Sequence, residues 1–118
     1  MVKENIIQQK SFEFALKIIE LYKILQHHKE FVLSKQLLRS GTSIGANVEE
    51  AIAGQSRKDF INKLSIACKE ARQAKYWIRL LSESKLVNDI NYDECLESVN
   101  ILINILTKII KTTKEKNL

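Results

Sequence analysis

Residues 56–81, SRKDFINKLSIACKEARQAKYWIRLL, decide the fold because their apolar side chains recur with the spacing of a packed helix. The steps alternate between four and three residues, which is the heptad spacing of left-handed helix bundles. The row consists of Phe60, Leu64, Ala67, Ala71, Ala74, Ile78 and Leu81. Ser56 suits the N-cap, and Asp59 suits the positive end of the helix dipole. The pattern predicts a helix over about residues 57–85, and its three alanines allow a close approach by neighbouring helices.

A first helix is predicted over about residues 11–27, where two apolar rows run side by side. One row is Phe12, Ala15, Ile19 and Tyr22, and the other is Phe14, Ile18, Leu21 and Leu25. Together they form a stripe wider than a surface helix of one bundle needs. His27 and His28 at the end of this helix suit the negative end of the helix dipole.

A last helix is predicted over about residues 92–114, with Asn91 as N-cap and Glu94 completing a capping box. Its seam is formed by Tyr92, Leu96, Val99, Ile103, Leu106 and Ile110. Further apolar side chains surround that seam, namely Ile101, Leu102, Ile105 and Ile109. Because large exposed apolar patches usually mark an interface, the surplus on the first and last helices favours self-association.

A second helix, over about residues 31–53, carries two rows side by side. The apolar row is Leu37, Gly41, Ile44, Val48 and Ile52, and the polar row is Gln36, Ser40, Ser43, Asn47 and Glu50. Gly41 and Gly45 each weaken the helix by about 1 kcal/mol relative to alanine, so we expect a close neighbour or a kink there. We interpret the polar row as a partly buried layer between helices or subunits, with a plain solvent face as the alternative.

The composition agrees with four long helices in one domain over residues 1–118. The chain has no proline and only three glycines, whereas sheet-rich folds need many tight turns. A hydrophobic fraction of 45% and a charged fraction of 28% are those of a globular protein. Short breaks between long helices favour antiparallel neighbours. The predicted fold is therefore an all-α, antiparallel, up-down-up-down, left-handed four-helix bundle.

The chain has the features of a cytoplasmic protein rather than a secreted or membrane protein. Its first ten residues, MVKENIIQQK, do not resemble a signal peptide. The most apolar stretch, residues 101–110, is interrupted by Asn104 and Lys108 and is too short to span a bilayer. Cys68 and Cys95 lie inside apolar helical patterns, so we expect two small packed side chains rather than a disulfide. We predict a cytoplasmic location without membrane partners.

One face of the third helix is basic. Opposite the heptad seam, cations and one aromatic residue fall in a narrow sector, namely Lys58, Lys69, Arg72, Tyr76 and Arg79. Such a face can contact phosphates and stack on a base, and the net charge of +5 is compatible with an anionic partner. A simple solvated face is the alternative, and Glu83 extends the sector with the opposite sign.

The sequence does not match the catalytic and metal-binding motifs that its residues suggest. Ser40, Ser43 and Cys68 have no histidine with an evident route to them. The only two histidines are adjacent on one helix and diverge, so they suit a helix end better than a metal site. A calcium loop starting at Asp89 lacks the required glycine and the final glutamate. Trp77 is expected to anchor the core or an interface. We predict no enzymatic activity, cofactor or metal.

Three runs resemble a known bacterial family. They are KSFEFALKIIELYKIL (residues 10–25), VLSKQLLRSGTSIGANVEEA (residues 32–51) and QSRKDFINKLSIACKEARQAKYWIRLL (residues 55–81). This family of four-helix bundles is named after proteins encoded in intervening sequences of 23S rRNA genes. The resemblance implies a ring-like homo-oligomer, most simply a pentamer. The sequence is also similar to the accessory protein of diversity-generating retroelements, whose basic barrel works with a reverse transcriptase and nucleic acid.

These observations predict a non-enzymatic homo-oligomeric scaffold that binds RNA or DNA phosphates through the basic face of the third helix. Phosphate contacts of this kind release counterions and read little base sequence. The alternative is an adaptor that docks a protein partner on the polar row of the second helix. A small-ligand enzyme is a third and weaker alternative.

Overall fold

All four predicted helices are present in the computed structural model, which describes residues 2–116 and the side chains of residues 6–116. They are α1 (Val2–His27), α2 (Leu33–Ala53), α3 (Arg57–Ser84) and α4 (Tyr92–Glu115). Each helix packs against the next, and α4 packs against α1, in a body of 50 × 21 × 20 Å. Because residues 2–116 contain no strand, the all-α four-helix bundle is confirmed. The up-down-up-down order and the left-handed twist stay predictions.

The first two helices begin at other residues than predicted. α1 begins at Val2 rather than near residue 11, and buried Ile7 continues the apolar side of the helix into this added part. α2 begins at Leu33 rather than near residue 31, because the Glu30 carboxylate caps it. One oxygen of Glu30 accepts the backbone N–H groups of residues 32 and 33 at 3.2 and 3.0 Å, and the other accepts that of residue 34 at 2.6 Å. These bonds satisfy donors that a helix leaves free at its start.

The starts of the last two helices show one correct and one wrong capping prediction. Ser56 caps α3 as predicted, since its Oγ accepts the backbone N–H of Asp59 at 3.0 Å. Asn91 precedes α4, but its side chain makes no capping bond, so the predicted capping box with Glu94 is wrong. The Tyr92 hydroxyl instead donates to the Val87 carbonyl at 3.0 Å, which fixes the chain entering α4.

The core contains the predicted seam of α3 and a rotated seam of α4. Six of the seven predicted α3 residues are buried, and Phe60 is partly buried. The buried residues of α4 are Tyr92, Cys95, Val99, Leu102, Ile103, Leu106 and Ile109. Leu96 and Ile110, expected in the seam, are only partly buried. Most of the apolar surplus expected on α4 is therefore covered within this chain, and Ile101 is the large hydrophobic of α4 that is exposed.

Gly41 permits the close contact between α1 and α2. A Cβ atom at this position would lie 2.9 Å from both Cγ1 and Cγ2 of Ile18 in α1. Real Cβ atoms do not approach that closely, and a β-branched side chain has little freedom to move aside. Because α2 continues as one helix to Ala53, close approach is the reason for this glycine. At Gly45 the nearest atoms, on Ser11, would be 3.5 Å away, which is an ordinary contact.

Candidate nucleic-acid interface

The predicted basic face of α3 lies on the surface. All five of its residues, Lys58, Lys69, Arg72, Tyr76 and Arg79, are exposed. The face exists because these residues follow at helical steps on the side opposite the buried seam. Lys58 occupies the first turn of α3, whereas the other four follow along the middle of the helix.

A groove between α3 and α4 brings further cations to this face. The groove has a volume of about 550 Å³. From α3 it is lined by Ser65, Cys68, Lys69 and Arg72, and from α4 by Thr107, Ile110, Lys111, Lys114 and Glu115. Cations therefore stand on both sides of a floor made of smaller and apolar side chains. Lys111 and Lys114 are functional candidates that sequence reasoning missed, because their proximity to α3 depends on how the helices pack.

The cations of this groove differ in their pairing from Arg79 on the same face of α3. Within residues 6–116, no ion pair involves Lys69, Arg72, Lys111 or Lys114. Arg79, by contrast, pairs with Glu83 in the next turn at 3.2 Å. Clustered cations with one carboxylate among them, that of Glu115, create a positive potential that attracts anions. The charge of Arg79 is therefore partly neutralised within α3.

Tyr76 and Trp77 have different positions although they are neighbours in the chain. The Tyr76 side chain is 54% exposed on the basic face, one helical turn beyond Arg72. Trp77 is partly buried and packs against the hydrophobic core, so the structure places it within the bundle. Its Nε1 is buried and finds no acceptor among the described residues. The two rings contact each other edge to face, with centroids 5.2 Å apart.

The polar row of α2 is buried at Ser40, partly buried at Ser43 and Asn47, and exposed at Gln36 and Glu50. Its member Glu50 pairs with Lys63 of α3 at 3.0 Å, so the row faces α3. Ser40 is fully buried, and its Oγ donates to the carbonyl of Gln36 at 3.1 Å. The Ser43 hydroxyl and the Asn47 amide likewise donate to backbone carbonyls four residues earlier, at 2.6 and 2.9 Å. The side-chain donors of Ser40, Ser43 and Asn47 are therefore already satisfied by α2 itself.

A hydrogen-bonded cluster also joins α2 to α3. Arg39 of α2 donates to both carboxylate oxygens of Glu70 at 3.1 Å and also to the side chain of Gln73. The Glu70 side chain is only 17% exposed, so this bidentate ion pair is better shielded from solvent than an ordinary surface ion pair. Sequence reasoning did not find the cluster, because its members lie about 30 residues apart on different helices.

The outer face of α1 is apolar, as the sequence predicts. Five large hydrophobic side chains of α1 are exposed, namely Ile6, Phe12, Leu16, Ile19 and Ile24. Phe12 is 65% and Leu16 50% exposed, and the two lie one turn apart on the same side of the helix. This α1 face, defined by Phe12, Leu16 and Ile19, is a contiguous apolar stripe without cover in the single chain.

A second groove, of about 460 Å³, separates α1 from the start of α4. Its floor includes Leu21, Ile90 and Cys95, and the ion pair between Lys17 and Glu94 crosses it at 3.2 Å. Burial raises the pKa of the Cys95 thiol, with Glu94 raising it further against the opposing effect of Lys17. A thiol held in its neutral form is a poor nucleophile, which gives this groove no visible chemistry.

Metal-binding and membrane-spanning features can be stated for the described part of the chain. Residues 6–116 contain no group of three histidine, cysteine or acidic side chains that could hold a metal ion. None of the four helices, as described, is long and apolar enough to cross a membrane. Cys68 and Cys95 are both free thiols.

The fold and the groove define an all-α bundle protein with a basic surface cleft. Residues 3–108 match the family described as 23S rRNA-intervening sequence protein, and the chain belongs to this family. A crystal structure from Bacteroides thetaiotaomicron VPI-5482 is similar, with a TM-score of 0.88 and 49% sequence identity. The match covers 92% of this chain and 98% of the Bacteroides chain. That structure is described as a protein with unknown function from the S23 ribosomal protein family. No curated protein matches the chain.

Proposed function

We propose that this protein is a non-enzymatic homo-oligomeric scaffold that binds RNA or DNA phosphates through the groove between α3 and α4. One observation carries the proposal: four unpaired cations from two helices, Lys69, Arg72, Lys111 and Lys114, line the same groove. Cations that serve only solubility have no reason to gather there, where their mutual repulsion opposes folding. A polyanion removes that repulsion when it binds.

The chemistry of binding is the release of counterions from the phosphate backbone. Each phosphate that a lysine or arginine neutralises contributes a fixed increment to the salt dependence of affinity. For four contacts per groove, affinity should fall about 50- to 150-fold between 50 and 200 mM salt. Backbone contacts of this kind position a nucleic acid without reading its base sequence.

Self-association supplies the second half of the proposal. The α1 face exposes Phe12, Leu16 and Ile19, and a second copy of the chain is the simplest cover for it. A closed ring, most simply the pentamer that the family resemblance implies, would present several grooves to one nucleic-acid strand. Linked weak contacts then add through effective concentration, so an oligomer binds more tightly than one groove does.

Charge reversal in the groove tests the binding proposal. We expect Lys69→Glu/Arg72→Glu to abolish binding of fluorescein-labelled RNA and DNA oligonucleotides at 50 mM salt, measured by fluorescence anisotropy. The matched control is Lys35→Glu/Lys108→Glu, which reverses two exposed lysines that do not line the groove. Both variants change the net charge equally. Equal losses in the two variants would show that overall charge, not the groove, binds the oligonucleotide.

Light scattering tests the assembly. The wild-type chain should have the mass of an oligomer at micromolar concentration, and Leu16→Asp should reduce that mass by placing a charge in the α1 face. Leu86→Asp is the control, since Leu86 is similarly exposed, at 61%, but lies between α3 and α4. A wild-type monomer would contradict the predicted ring.

A further inference from the structure

The groove between α3 and α4 has an apolar floor as well as cationic rims. Cys68 and Ile110 are half-buried in it, and the thiol of Cys68 lies 3.8 Å from the hydroxyl oxygen of Thr107. Phosphates need only the rims, so the floor can receive a less polar part of the ligand. Nucleobases are that part, and they are accessible when they are unpaired.

An aromatic side chain continues the same side of α3. Tyr76 lies four residues after Arg72 and seven after Lys69, so the three side chains share one face of the helix. The contact with Trp77 restricts the Tyr76 ring, since the two centroids are 5.2 Å apart with planes at 69°. A restrained and half-exposed ring beside cations is the arrangement on which proteins stack the bases of single strands.

A duplex does not suit this geometry. The major groove of DNA, about 12 Å wide, admits one helix, whereas α3 and α4 are packed side by side, and packed helices generally have axes about 8–10 Å apart. Two adjacent helices cannot enter it together. A duplex also hides its base faces in the stack, so Tyr76 would have nothing to stack on.

We infer that the groove takes single-stranded nucleic acid, with phosphates on Lys69, Arg72, Lys111 and Lys114 and a base on Tyr76. The inference rests on the proposed phosphate-binding function and adds the strandedness of the ligand. It also assigns a role to Tyr76 that electrostatics alone does not. Stacking of one base is expected to favour the single strand by about 5- to 150-fold over a duplex at equal salt.

The experiment compares one oligonucleotide sequence as a single strand and as a duplex. Labelled RNA and DNA single strands of about 12 nucleotides, and their duplexes, are titrated with the full chain at 50 mM salt. The single strands should bind about 5- to 150-fold more tightly than the duplexes, Tyr76→Ala should remove that preference, and Tyr76→Phe should retain it.

Each other outcome has a distinct meaning. Duplexes that bind as tightly as single strands would overturn this inference and leave the phosphate-binding groove standing. Undiminished single-strand affinity in Tyr76→Ala would also overturn it, because the preference would then not come from stacking. Failure of the wild-type chain to bind either form would overturn both proposals.

Discussion

The two sides of α3 differ in how their charges are used. Towards α2, Glu70 binds Arg39, and Lys63 binds Glu50. Towards α4, the cations of the groove have no ion pair within residues 6–116, and they line a groove on the surface of the packed α3–α4 pair. Paired charges hold neighbouring helices together, whereas clustered unpaired charges weaken a fold. This difference is the basis of the proposal that a ligand binds on the α4 side of α3.

The largest expected effect comes from enlarging a small residue on the packed side. Ala74 lies one turn after Glu70 and is fully buried, so a leucine there has no space. Ala74→Leu should lower the free energy of unfolding by about 3 kcal/mol. Arg72→Leu on the open side should change it by less than about 0.5 kcal/mol. Urea unfolding followed by circular dichroism at one protein concentration measures both. Similar changes in unfolding free energy for the two variants would contradict the difference between the two sides of α3.

Two glycine variants test the packing of α2 against α1 in the same way. Gly41→Ala would place a methyl group 2.9 Å from two side-chain atoms of Ile18. Overpacking should exceed the gain in helix propensity, for a net loss of about 1–2 kcal/mol. Gly45→Ala meets only ordinary contacts, so it should gain about 1 kcal/mol or less. The same unfolding experiment decides, and stabilisation by Gly41→Ala would refute the close-approach explanation.

A smaller effect should follow from breaking the shielded ion pair. Glu70→Ala leaves Arg39 without its carboxylate, which should cost about 1 kcal/mol of unfolding free energy, since Arg39 remains half exposed. Lys69→Ala, one residue earlier on the groove side, should leave stability unchanged or raise it slightly by relieving repulsion. If Lys69→Ala proved the more destabilising of the two in thermal unfolding, the groove cations would have a structural role.

Features that depend on spacing within one helix could be predicted from the sequence. The α3 seam follows from steps of four and three residues, and the Ser56 cap follows from its position before that seam. The basic face of α3 is of the same kind, because helical geometry alone places Lys69, Arg72 and Tyr76 together.

Features that depend on packing between helices could not be predicted in this way. Lys111 joins the groove only because of how α4 is rotated against α3, and the predicted α4 seam was itself rotated from the observed one. Residues such as Glu30 and Asn91 show a related difficulty at helix ends. Either side chain can cap a helix, and the local backbone decided that Glu30 does so and Asn91 does not.

The most direct test of the phosphate-binding groove is the slope of affinity against salt concentration. Each neutralised phosphate contributes about 0.7 to the slope of log affinity against log salt for a single strand. Lys111→Ala/Lys114→Ala should therefore flatten the wild-type slope by about 1.4, and Lys35→Ala/Lys108→Ala should leave it unchanged. An unchanged slope in Lys111→Ala/Lys114→Ala would contradict the account, because those lysines would then not meet phosphates.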